Sequence, residues 1–138
     1  MAESTTTQPL AASGKVIRVE NGKVVFNPGG TSYELHLEVP NYAGPVNVPT
    51  RCVIRVKARK VYTVPSGGNF ITPIFGPPRI IQGRVRSADQ RSLVVHAAVP
   101  VHVELPGVES AIDLDEGPIT IGKMVNVVCE PGARVGFL

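Results

Sequence analysis

Leu35-His36-Leu37-Glu38-Val39-Pro40 and Val101-His102-Val103-Glu104-Leu105-Pro106 decide how this chain is read. Both run apolar-His-apolar-Glu-apolar-Pro, and two of the chain's three histidines sit at equivalent places in them. A period of two is the pattern of a strand, with His and Glu on one face and the aliphatics on the other. Proline closes each strand because it has no backbone donor for a ladder.

The same landmarks recur around each copy, in the same order. Gly14-Lys15-Val16 and Gly83-Arg84-Val85 stand upstream, then Lys23-Val24-Val25 and Leu93-Val94-Val95, each after a turn. Asn21-Gly22 is a strong hairpin signal. Downstream, Gly44-Pro45-Val46-Asn47-Val48 is answered by Gly117-Pro118-Ile119-Thr120-Ile121, and 51–56 by 124–129. Strands are expected over 14–19, 23–27, 32–39 and 51–64. In the last of these Ile54, Val56 and Ala58 alternate with Arg55, Lys57 and Arg59. The order predicts an internal duplication, with one β half at 14–64 and a second at 79–138 packed on the first. Residues 1–13 are expected to be a flexible tail, and the second half carries an insertion within 107–116.

Composition points the same way. The chain is 43% hydrophobic, enough for a core, with fourteen glycines and thirteen prolines. No window sustains the i, i+3, i+4, i+7 apolar spacing of a helix. The expected fold class is therefore all-β: two small antiparallel barrels of the OB type, or one barrel fused about a pseudo-twofold axis. A barrel of some sixty residues buries proportionally little surface, so the halves are expected to pack together.

Residues 65–78 join the halves. Glycine and proline punctuate this connector, yet Phe70, Ile71, Ile74 and Phe75 are large and apolar, unlike a plain linker. Two readings are open: these side chains fold back over the core, or they grip another subunit.

The net charge of +3 does not by itself imply nucleic acid. Its distribution says more, for Arg51 to Arg91 holds nine bases and one acid, while Glu104 to Glu130 holds six acids and one base. Such asymmetry suits an anionic partner, or two faces that attract one another in an assembly. The first residues carry neither a basic nor an apolar signal region, and no run approaches the ~20 apolar residues of a membrane helix. Cys52 and Cys129 make neither a disulfide framework nor a zinc spacing, and read as buried small hydrophobes. A cytoplasmic setting is expected, with no membrane partner.

Among candidate sites, Arg55, Lys57 and Arg59, extended by Arg84 and Arg86, would suit a phosphate backbone. Single-strand binders add aromatic platforms, and here aromatics are scarce. His36, Glu38, His102 and Glu104 would offer two imidazoles and two carboxylates to a divalent ion if the repeat strands paired. A solvated strand face is the simpler reading, so no metal or other cofactor is assigned. No phosphate loop or nucleophile elbow appears, His96 has no catalytic partner at telling spacing, and Asp113, Asp115 and Glu116 read as a solvated loop. No catalytic residue and no small-molecule substrate is assigned. The expectation is a non-enzymatic module that self-associates through barrel faces and the connector, with single-stranded nucleic-acid binding as the alternative.

Overall fold

The long strand β4 (Thr50–Thr63), of fourteen residues, is paired by strands from both halves of the sequence. The computed structural model describes residues 10–88, 91–105 and 119–138, and the backbone of 112–113. The remainder of the predicted tail, with Asp115 and Glu116, lies outside the described residues. Among the described residues there is no helix, and the strands form one mixed sheet. Among these residues no helix is long and apolar enough to cross a membrane.

Two three-strand meanders flank β4. The first is β1 (Ala12–Glu20), β2 (Lys23–Pro28) and β3 (Glu34–Glu38). It turns between β1 and β2 at Asn21 and Gly22, with φ of 50° and 79°. Positive φ at both positions is what a two-residue hairpin of matching twist requires, and Asn-Gly supplies it cheaply. The second meander is β7 (Ile80–Ala88), β8 (Ser92–His96) and β9 (Pro100–Glu104). In each, the first strand slips register at one residue, between Val16 and Arg18 and between Val85 and Ser87.

Gly14 and Gly83 hold matching places in these hairpins. A Cβ on Gly14 would overlap the Asn27 carbonyl oxygen, and one on Gly83 would overlap that of His96. Only glycine lets the facing backbone come so close.

The chain's last strands, β11 (Met124–Cys129) and β12 (Arg134–Phe137), run one after the other antiparallel to β4. β11 pairs with Ala58–Thr63 and β12 with Cys52–Arg55, and between them the Glu130 N–H donates to the Lys57 carbonyl. β1 lies antiparallel beside Thr50–Cys52, and β9 parallel beside Ile54–Lys57. The two-residue strand β10 (Ile112–Asp113) is parallel to Val61 and Tyr62.

Two circuits of pairing result. One runs β1-β2-β3-β12-β4 and returns to β1; the other runs β7-β8-β9-β4-β11 and returns to β7. Each therefore takes a strand from beyond its own sequence half. The ladders also shift the expected equivalence of 51–56 with 124–129. Gly14 opposes Thr50 and Gly83 opposes Val125, so Thr50 answers to Val125, a displacement of two residues that keeps the same face inward.

β4 serves both circuits by changing phase. Cys52, Ile54, Val56 and Ala58 are buried, then Val61 and Thr63. Opposite β11 the register jumps from Ala58 to Lys60, leaving Arg59 as an extra residue. A bulge of this kind flips the alternation and bends the strand. One apolar cluster, including Phe26, Leu35, Ile54, Ile71, Ile81 and Val103, joins both circuits.

The connector is ordered against both meanders. Its β5 (Phe70–Thr72) pairs antiparallel with Ile80–Gln82, and its β6 (Phe75–Gly76) lies parallel to β3. The Glu34 N–H donates to the Ile74 carbonyl (2.8 Å), and the Ile71 N–H donates to the Tyr33 hydroxyl (3.2 Å).

Candidate functional site

The outer face of the sheet is built from residues that alternate with the core. Leu35, Leu37, Val101 and Val103 are buried, which turns His36, Glu38, His102 and Glu104 outward. On β4 the same logic exposes Arg55, Lys57 and Arg59. Lateral registration then sets one row of side chains across both circuits: Lys23, Glu38, Arg134, Arg55 and His102, on β2, β3, β12, β4 and β9. The next row along β4 pairs Lys57 with Glu104.

The basic stripe read from the sequence is thus only partly one surface. Arg55, Lys57 and Arg59 share a face of β4, whereas Arg84 and Arg86 lie on β7, beyond β11. Arg84 Nη1 donates instead to the Gly122 carbonyl (2.9 Å). Two arginines not singled out from the sequence take their place. Arg134 arrives on β12 directly opposite Arg55, and Arg91 stands just before β8. Nothing local to Arg134 signals this, because its neighbour lies on a strand of the other half. Acids interrupt the stripe: Glu38 opposes Arg134, and Arg134 Nη2 lies 3.7 Å from Glu104 Oε1.

The four metal candidates do not converge. β3 and β9 are three strand spacings apart through β12 and β4, or about 14 Å, too far to share an ion. Among the described residues no group of three or more His, Cys, Asp or Glu could hold a metal. The histidines differ in their cover. The His36 ring meets Phe75 edge-on, with centroids 5.1 Å apart, and its buried Nε2 has no hydrogen-bond partner among the described residues. His102 Nε2 lies 2.7 Å from the Leu10 carbonyl and donates to it.

The connector's apolar residues divide between the two readings. Ile71 is fully buried in the chain's own core and Phe70 is half-buried. Ile74 is 59% and Phe75 57% exposed, and the Arg18 guanidinium lies over the Phe75 ring, 5.6 Å from its centroid. Cys52 is buried and Cys129 half-buried, and burial pushes both thiols up to about 12. His96 sits on β8 opposite Arg84. Comparison with family models, with curated proteins and with solved structures finds no match.

Proposed function

We propose that this chain is a non-enzymatic cytoplasmic assembly module, made of two OB-like barrels that arose by duplication and exchange a strand. Support for the duplication comes from details that the His-Glu repeat does not require. Matching bulges follow Val16 and Val85, and Gly14 and Gly83 meet the facing backbone in the same way. Each circuit also follows the order of a five-stranded OB barrel, closed by one parallel pair.

The observation that carries self-association is the Ile74–Phe75 pair. Backbone bonds hold this segment on β3, yet both side chains face outward. An apolar pair fixed in place at the surface is a feature of interfaces. Its natural occupant is a second copy, whose acidic segment would also meet the exposed bases of β4. Sedimentation at micromolar concentration should show an oligomer that Phe75→Asp dissociates. A monomer at both low and high salt would sink the reading.

Single-stranded nucleic-acid binding remains the second reading, because Arg55, Lys57 and Arg59 are all exposed on one face. It is supported less, since Glu38 and Glu104 interleave with the bases and no Phe or Tyr belongs to the row. Replacing the three bases with Ala should abolish any oligonucleotide affinity, and that affinity should fall steeply with salt.

A further inference from the structure

The row that crosses both circuits is out of electrostatic balance at its middle. Lys23 and Glu38 oppose each other with opposite charges. Arg134 and Arg55 oppose each other with like charges, an arrangement that destabilises a sheet. Arg55 makes no side-chain hydrogen bond or ion pair among the described residues. Beside it lies a shallow pocket of about 220 Å³, lined by Arg55, Arg91, Ser92, His102, Glu104 and Arg134. That space is below the range of drug-sized ligands and ample for a small anion.

Among the described lining residues Glu104 is the one carboxylate, and it pairs with Arg134 at 3.7 Å, which leaves Arg55 without an acid of its own among them. Strands about 4.8 Å apart bring the ends of Arg134 and Arg55 within reach of one bound group. Guanidinium forks suit tetrahedral oxyanions because they donate in parallel pairs. The Leu10 carbonyl holds the His102 ring at the edge of the pocket through Nε2.

We infer that this pocket binds an oxyanion of the phosphate class. Arg55 is its principal ligand, Arg134 and Arg91 flank it, and Glu104 tempers its affinity. The anion relieves the repulsion between Arg55 and Arg134 and so ties β4 to β12, the pair through which the two circuits exchange strands. Ile74 and Phe75 do not line the pocket, so loss of the apolar contact is separable from loss of anion binding. The acidic segment proposed to meet the bases of β4 would compete with the anion for Arg55.

The test titrates the full chain at low salt with inorganic pyrophosphate and, separately, with a short oligothymidylate, by calorimetry. Pyrophosphate should bind saturably. Arg55→Ala should weaken it about tenfold or more, the scale of losing a bidentate charged contact. Glu104→Gln should tighten it several-fold. Lys15→Ala removes the same charge from β1, outside the pocket, and should change little. If oligothymidylate binds and pyrophosphate competes with it, the anion is a phosphodiester. If pyrophosphate binds alone, the anion is a free phosphate, and either result supports the site. Unfolding midpoints verify that the variants are folded. Failure of both probes to bind, or an equal loss in Lys15→Ala and Arg55→Ala, would overturn the inference.

Discussion

His36 and His102 occupy the same place in two strands of matching sequence pattern and live under opposite conditions. Each points outward from between buried aliphatics, and each faces a valine on the adjacent strand, Val25 or Val94. His36 lies beneath Phe75 with a buried Nε2 that has no partner among the described residues, while His102 Nε2 donates a hydrogen bond to the Leu10 carbonyl. What differs is the cover. The segment leading into the second meander crosses β3, and the segment leading into the first reaches β9. The repeat thus sets backbone and core, and the stretches between strands set what each outer face can do.

Gly14 and Gly83, which meet the facing backbone alike, are the most sensitive positions in the two hairpins. If Gly14 and Gly83 do the same work, alanine at either should cost about 3 kcal/mol or more, since the facing backbone cannot retreat. Urea unfolding of the two variants would measure this. Tolerance of one substitution and collapse with the other would show that the hairpins are not equivalent.

A smaller effect, of opposite sign in the two halves, is expected at the histidines. His36→Leu removes a buried nitrogen that has no partner among the described residues, and should stabilise the protein by about 1 kcal/mol. His102→Leu removes a made hydrogen bond and should destabilise it by about 0.5–1 kcal/mol. Shifts of the same sign would mean that the cover over each face does not decide the matter.

The sequence was informative where structure is local. Alternation placed β4 within a residue at each end, and Asn21-Gly22 marked a hairpin that the backbone forms. The outward faces of both His-Glu strands were also legible, because period two and burial agree. Partnership across the halves was not. That Arg134 opposes Arg55 depends on β12 crossing into the first circuit, and no short pattern encodes a neighbour so distant in the chain. The phase change at Arg59 was hidden for a related reason, since an extra residue matters only once β11 is beside it. The connector resisted a single reading because it has no single environment: Ile71 belongs to the core, and Phe75 to the surface.

The smallest expected effect concerns the thiols, which differ in exposure while sharing one acid–base state. Cys52 faces the core within the first circuit's stretch of β4, and Cys129 ends β11 at the rim of a groove walled by Pro73, Pro77 and Pro131. Burial raises both from 9.0 to about 12. Below pH 9 the folded and unfolded chains both keep these protons, so the thiols add no pH dependence to stability there. Above it the unfolded thiols ionise first, and stability should decline as pH climbs from 9 toward 12. Near pH 8 almost no thiolate exists at either site, so exposure alone separates their rates with an alkylating reagent. Cys129 should react much more slowly than a free thiol, and Cys52 more slowly still, only when the fold opens. Mass spectrometry of timed samples would rank them. Equal rates in the native protein would mean that both wait on the same global opening, and that the rim of the groove gives Cys129 no access of its own.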